Sequence, residues 1–226
     1  MHYYKSRVKH MRIKELFQES PLPDDWDHDI YNDRIPFKTR VRYAKERAMQ
    51  MGVGSSRIAF KIPYQGRNTV LKIAKNRGGM AQNENEAQLL SEPYLSQFNI
   101  TIPLIDYDEN NNIPTWIHTE FAEKIRPNQM KQFTNGLDLN NFITYAAYNA
   151  GVYTYPPLSF RYSNEIEKHD LEDNDFFHTV SKLIADYNML LLWQDLTVLK
   201  NWGLYKGSPV IIDLGVSEDV YQTHYA

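Results

Sequence analysis

The 226-residue sequence predicts an α+β protein, with an antiparallel sheet and one inserted helix in the first half and mainly helices in the second. Three observations carry that prediction. After Gly52 apolar residues fall at every second position, Ile58, Phe60 and Ile62, and a second apolar run follows at Val70 to Ile73, as in half-buried strands. From Phe176 onward the apolar offsets become one, three and four, through Phe177, Val180, Leu183, Ile184, Tyr187, Leu190 and Leu191, the stripe of an amphipathic helix. Turn-forming clusters, Gln65-Gly66-Arg67-Asn68, Asp108 to Pro114 and Lys206-Gly207-Ser208, separate the apolar runs.

The elements follow in order. Residues 1–35 read as an appended N-terminal extension, basic at Lys5, Arg7, Lys9, Arg12 and Lys14, then acidic and Pro-punctuated over Pro21–Asp29, a stretch expected to be a solvated loop. Pro36–Met51 has proline at the first helical position and good helix formers behind it, and Gly52 is expected to stop it. A hairpin joins Ile58–Ile62 to Val70–Ile73. Gly78-Gly79 is expected to break the second strand, and Met80–Phe98 has helical spacing, with Pro93 marking a kink or an end. Pro103–Tyr107 and Thr115–Phe121 form the next antiparallel pair. Leu137–Ala150 is a helix, Val152–Tyr162 a Pro/Tyr-rich loop, and Glu165–Asp175 polar and acidic. The helix that begins at Phe176 is expected to run to Trp193-Gln194-Asp195, and a last hairpin pairs Trp202–Tyr205 with Pro209–Leu214.

Composition excludes several classes of function. With 42% hydrophobic residues the chain can bury a core without staples, and with no cysteine it can hold no disulfide, no thiolate metal site and no cysteine nucleophile. The longest strongly apolar stretch, Met189–Trp193, is far short of the ~20 residues that cross a bilayer, and Met1–Lys14 is not signal-like, so a soluble cytoplasmic protein without a membrane partner is expected. The 25 basic and 28 acidic residues, and a pI near 6.2, give no global field for nucleic acid.

Five features then occur in an order that suits one chemistry. Gly52-Val53-Gly54-Ser55-Ser56-Arg57 opens a hairpin, and small residues there let backbone N–H groups approach a polyphosphate, although simple turns use the same residues. Lys72 sits among Val70, Leu71 and Ile73, where a buried ammonium needs a partner or an anionic ligand. Glu84 and Glu86 on the following helix offer a carboxylate that can reach back to it. Asp195 and Asn201, after the long helix, supply a proton acceptor and a neutral oxygen ligand for a metal. Asp213, in Ile211-Ile212-Asp213-Leu214-Gly215, ends an apolar run where a carboxylate invites a divalent cation.

Over about Gly52 to Gly215 the chain resembles the protein-kinase-like fold, and its Gln-Asn before the glutamate and Asn201-Trp202-Gly203 resemble small kinase-like proteins of bacteriophages. The resemblance implies a bilobal fold with an N-lobe over residues 36–121, a reduced, mainly helical C-lobe over 122–226, and ATP and Mg²⁺ between them. It implies that Gly52, Gly54, Ser55 and Ser56 cover the phosphates and that Lys72, held by Glu86 with Glu84 as second choice, orients them. Asn201 and Asp213 would hold magnesium, and Asp195 would accept the proton of the acceptor hydroxyl. The hinge Thr119-Glu120-Phe121-Ala122 would read adenine through its backbone. The implied function is a phosphotransferase acting on a protein or small-molecule hydroxyl, in the host cytoplasm if phage-encoded.

The departures are specific. Asp195 and Asn201 are six apart where the family pattern sets five, so one extra residue must be absorbed. Trp193 and Gln194 replace the family's histidine and arginine, which removes the pairing site for an activation-loop phosphate. Arg57 stands where a third loop glycine would be. After Gly215 only Val216–Ala226 remain, too few for the usual peptide-substrate groove. These departures favour an alternative, a pseudokinase-type module that binds a host or phage protein, with Tyr3–Lys14 and Val152–Tyr162 as contact surfaces. His118, on a strand beside Trp116, is expected to be packed rather than catalytic, and His169 and His178 lack metal spacing.

Overall fold

The computed structural model describes residues 22–225 except positions 24, 33, 110, 112 and 155–162. The basic segment Tyr3–Lys14 and most of the Pro/Tyr-rich loop lie outside the described residues. Helix α1 (Phe37–Lys45) leads into strands β1 (Met49–Val53), β2 (Arg57–Tyr64) and β3 (Arg67–Ala74), then helices α2 (Arg77–Leu90) and α3 (Pro93–Ser96), then β4 (Leu104–Tyr107) and β5 (Trp116–Glu120). The five strands form one antiparallel sheet in the order β1-β2-β3-β5-β4. The chain is thus α+β, with an antiparallel sheet and a helix inserted between its third and fourth strands.

Strand parity explains the sheet. In the β2–β3 register Ile58 faces Ile73, Phe60 faces Leu71 and Ile62 faces Thr69, so their apolar side chains share one face. That face is buried against Trp116, Ala44 and three residues of the N-terminal extension, Leu22, Trp26 and Tyr31. The expectation of a solvated loop over Pro21–Asp29 is therefore corrected: Leu22 and Trp26 are 1% and 5% exposed, and burial of such large side chains outweighs the polar neighbours. Trp26, Tyr31 and Tyr43 pack their rings together, with Trp26 stacked on Tyr31 and both edge-on to Tyr43.

Helix α1 also ends earlier than its propensities suggest. It stops at Lys45, and Met49–Val53 pairs with β2 as an edge strand, so Gly52 lies within a strand instead of terminating a helix. At the other end of the hairpin, Gly78 and Gly79 do not break the chain but begin α2, with the Asn76 side chain accepting a hydrogen bond from the Gly79 amide at 2.9 Å. Any Cβ on Gly79 would lie 2.2 Å from the Ser56 carbonyl oxygen, so only glycine lets the helix start this close to the β1–β2 turn.

The second half contains β6 (Glu123–Lys124), α4 (Pro127–Phe133), α5 (Leu139–Asn149), a helical turn α6 over 163–168, α7 (Asp175–Tyr187), β7 (Trp202–Tyr205), β8 (Ser208–Ile211) and α8 (Glu218–His224). Its core gathers Phe142, Ile143 and Ala146 of α5, Phe177, Val180 and Ile184 of α7, and Trp202. The stripe that predicts α7 is buried as expected, but the helix ends at Tyr187, before Leu190 and Leu191. Strands β6, β7 and β8 form a small antiparallel sheet. Hydrogen bonds between Ile211 and both Ile100 and Ile102 join its last strand to the segment before β4.

Helix α2 connects the two regions with polar side chains that would be unusual in an ordinary core. The Asn85 amide donates to the carbonyl oxygens of Leu190 and Leu214 at 3.0 and 2.9 Å, and Asn83 donates to that of Pro114 at 3.2 Å. A buried amide with its partners in place fixes one relative arrangement of the pieces it bridges.

Candidate functional site

The parity that buries Leu71 and Ile73 turns Lys72 to the opposite face, where its cross-strand neighbours are Ala59 and Ile117. Arg57, two residues before Ala59 on β2, comes out on that same face. Glu86 rises from α2 between them, fully buried. Its Oε1 accepts from Lys72 Nζ at 2.5 Å and its Oε2 accepts from Arg57 Nη1 at 2.5 Å. Glu84, two residues earlier on the helix, is exposed. Lys72 Nζ also donates to the Ile212 carbonyl oxygen at 2.5 Å, which draws the segment after β8 to the sheet.

Beyond Ile212 lies Asp213, whose Oδ1 accepts from Arg57 Nη2, while Arg57 Nη1 reaches Asn83 Oδ1 at 3.3 Å as well. Arg57 is thus clamped by Glu86 and Asp213, two carboxylates that lie far apart in the chain. Gly215 makes room for the guanidinium: a Cβ there would sit 2.6 Å from Nη2 and 2.9 Å from Cζ. Burial alone would lower the ionisation of Arg57, but Glu86 and Asp213 outweigh it and raise it above the ordinary arginine value. For Asp213 burial pushes up, and Arg57, Lys72, the Gly215 amide and Lys200 together push down harder, leaving its carboxyl below the ordinary carboxylate range.

Asp195 enters from a 3₁₀ turn, Trp193–Thr197, and Asn201 from a second one, Leu199–Asn201. Val198 between them is extended. The Asn201 side-chain amide donates to the Asp195 carbonyl oxygen at 2.9 Å, and the Asn201 carbonyl accepts from the Ile212 amide at 2.8 Å. The loop is thereby pinned to the segment after β8 that carries Asp213. Burial and the nearby Asp213 raise the Asp195 carboxyl above its ordinary value, against an opposing pull from Lys200.

These groups surround one cleft of about 560 Å³, within the range of small-molecule sites. Gly52, Gly54, Ser55 and Ser56 form one wall, Ala59, Val70 and Ile102 supply apolar surface, and Thr119, Glu120 and Ala122 form the edge where β5 leads to β6. Lys72, Asp195, Asn201 and Asp213 all reach it. Two of the expected site residues do not line it. Glu86 touches the cleft only through Lys72 and Arg57, and Phe121 packs under the Lys61 ammonium, 4.8 Å from its ring centroid, instead of lining the cleft. The side chain of Glu120 is held by Arg67, 2.8 Å away.

The glycine-bearing turn is itself tied down. Gly54 donates to the Arg57 carbonyl at 2.9 Å, Lys75 Nζ donates to the Gly54 carbonyl at 2.7 Å, and the Lys75 amide donates to the Ser56 carbonyl at 2.7 Å. From α8, Tyr225 donates its hydroxyl hydrogen to Ser56 Oγ at 2.5 Å and accepts from Gln82 Nε2 at 2.8 Å. Among sequence signals nothing marks Tyr225, because its partners lie 169 and 143 residues away.

No protein-family model matches the chain, and no curated protein matches it. The case for any function therefore rests on the cleft.

Of the two residues expected to hold magnesium, Asp213 is paired with the Arg57 guanidinium, whereas Asn201 donates its amide to the Asp195 carbonyl and so keeps its Oδ1 as the oxygen a metal would take. Arg57 is the residue that sequence reasoning undervalued. It reads there as a departure from a glycine pattern, because the carboxylates that bury it lie 29 and 156 residues away in the chain. His118 is fully buried, with Nε2 2.7 Å from Thr69 Oγ1, and His169 and His178 contact backbone carbonyls. No helix among the described residues is long and apolar enough to cross a membrane.

Proposed function

We propose that the chain is a kinase-like protein of two lobes, residues 36–121 and 122–226, that binds ATP in the cleft and acts as a phosphotransferase on a hydroxyl acceptor. One observation carries the reading: the Lys72 ammonium, fixed by buried Glu86, stands on the sheet face that lines a cleft whose opposite side holds Asp195 and Asp213. A fixed cation costs little to reorganise when a polyphosphate arrives, and such catalysis is mainly positioning and charge neutralisation. Adenine would lie between the apolar residues near Val70 and Ile102 and the backbone of Glu120 to Ala122. In the transfer step the acceptor oxygen bonds to the γ-phosphorus and the bond from that phosphorus to the β–γ bridging oxygen breaks. ADP leaves with the bonding pair, and the hydroxyl proton passes to Asp195. Burial and Asp213 raise the Asp195 carboxyl above its ordinary value, which makes it a stronger acceptor for that proton.

A second reading, a pseudokinase-type module that presents a surface to a protein partner without turnover, is favoured by the Arg57–Asp213 pair, which occupies a carboxylate the transfer chemistry would otherwise use. γ-Labelled ATP separates the two. Label released to water or transferred to the chain by the wild type, and lost in Asp195→Asn while ATP still binds, supports the enzyme. Binding without any turnover, or no binding at all, overturns the enzyme and leaves the module.

A further inference from the structure

We propose that Arg57 is a built-in cation of this cleft, standing beside Asp213 in place of a divalent metal, so that the site takes the polyphosphate of a nucleotide free of metal. The inference rests on the nucleotide reading above and specifies what form of the nucleotide binds. Arg57 is 6% exposed, yet it lines the cleft. Its guanidinium is held from three directions, by Glu86 at 2.5 Å, by Asn83 at 3.3 Å and by Asp213. A guanidinium fixed in this way keeps a permanent positive charge beside Asp213, at the cleft wall where a metal ion would otherwise sit.

A second observation is independent of those contacts. The backbone at Gly215 is shaped around the guanidinium, since any side chain there would collide with Nη2 and with the Cβ of Gln82, 2.9 Å away. The space beside Asp213 is thus built for an arginine. Charge points the same way. Arg57 and Lys72 balance Glu86 and Asp213, and a divalent cation placed on Asp213 would meet a guanidinium already at hydrogen-bond distance, a like-charge contact in a partly desolvated site. A polyphosphate arriving alone meets Arg57, Lys72 and the exposed Lys200 at the same cleft.

Calorimetric titration of the full chain with ATP, once with excess magnesium and once with a chelator, tests this. The expected result is the same dissociation constant in both conditions to within about twofold. Arg57→Ala should bind ATP weakly in chelator and gain about tenfold or more from magnesium, because Asp213 is then free to take the metal. Arg57→Lys, which keeps the charge, should remain indifferent to magnesium. Wild-type binding that disappears in chelator overturns the built-in cation and leaves the nucleotide reading intact, whereas no heat and no binding in either condition overturns both.

Discussion

Lys72 Nζ lies 2.5 Å from Glu86 Oε1, and this single contact joins the middle strand of the sheet to the inserted helix at the point where the cleft begins. The same carboxylate takes Arg57 on its other oxygen. One buried acid therefore orders two cations, and through them Ile212 and Asp213 on the far side.

Loss of Glu86 should be the most damaging change in the site. Glu86→Ala leaves two buried cations without their shared anion, a change that costs about 3–5 kcal/mol when a buried pair is broken from one side. Urea unfolding followed by tryptophan fluorescence measures it. A loss no larger than that of Glu84→Ala, at an exposed position of the same helix, would contradict the placement.

The two carboxylates of the cleft should respond to pH with opposite signs. Asp213 is held below its ordinary value of 3.8, so its contribution to stability is complete above that value and is lost as the pH falls through the lowered one. Asp195 is raised above 3.8, so its contribution is present below that value and is lost as the pH rises through the raised one. Asp213→Asn should therefore remove stability at neutral pH and little in acid, while Asp195→Asn should be neutral or stabilising at pH 7. Stability curves of both variants between about pH 3 and pH 7 check the pair of signs.

Gly79→Ala should destabilise the fold out of proportion to its size. The added methyl meets a backbone carbonyl at 2.2 Å, and backbone cannot rotate away as a side chain can, so a loss of about 1–3 kcal/mol is expected. Thermal unfolding reads it. Gly52→Ala, at a strand position with open space around it, is the control.

Tyr225→Phe removes the hydroxyl that Ser56 and Gln82 share. About 1 kcal/mol per lost hydrogen bond is the expected cost. Its signature is local: hydrogen exchange at Gly54 to Ser56 should accelerate while α7 is unaffected. Unchanged exchange in the turn would show that α8 does not hold it.

The legible parts of the fold were those whose signal is local. The alternation of Ile58, Phe60 and Ile62, the Gln65-Gly66 turn and the stripe of α7 each lie within one element, and each forms where expected. Strand β1 was illegible because all five of its residues are exposed, so no apolar alternation marks it, and Met49-Gln50-Met51 has helix-forming composition; pairing with β2 decides it. Leu22, Trp26 and Tyr31 carry no periodicity, and only the sheet they cover reveals them as core. In the site, Lys72 stood out as a charge in an apolar strand, but Arg57 depends on partners 29 and 156 residues away that no local pattern announces.

The central claim, that the cleft receives a nucleotide against Lys72, is tested most directly by the melting temperature of the wild type and of Lys72→Ala with and without millimolar ATP. A ligand bound only by the native state at about 100 times its dissociation constant adds about 2.7 kcal/mol to stability. The account predicts a rise of several degrees in the wild type and little or none in Lys72→Ala, each compared with its own ligand-free melt. Equal shifts in the two proteins, or no shift in the wild type, would contradict it.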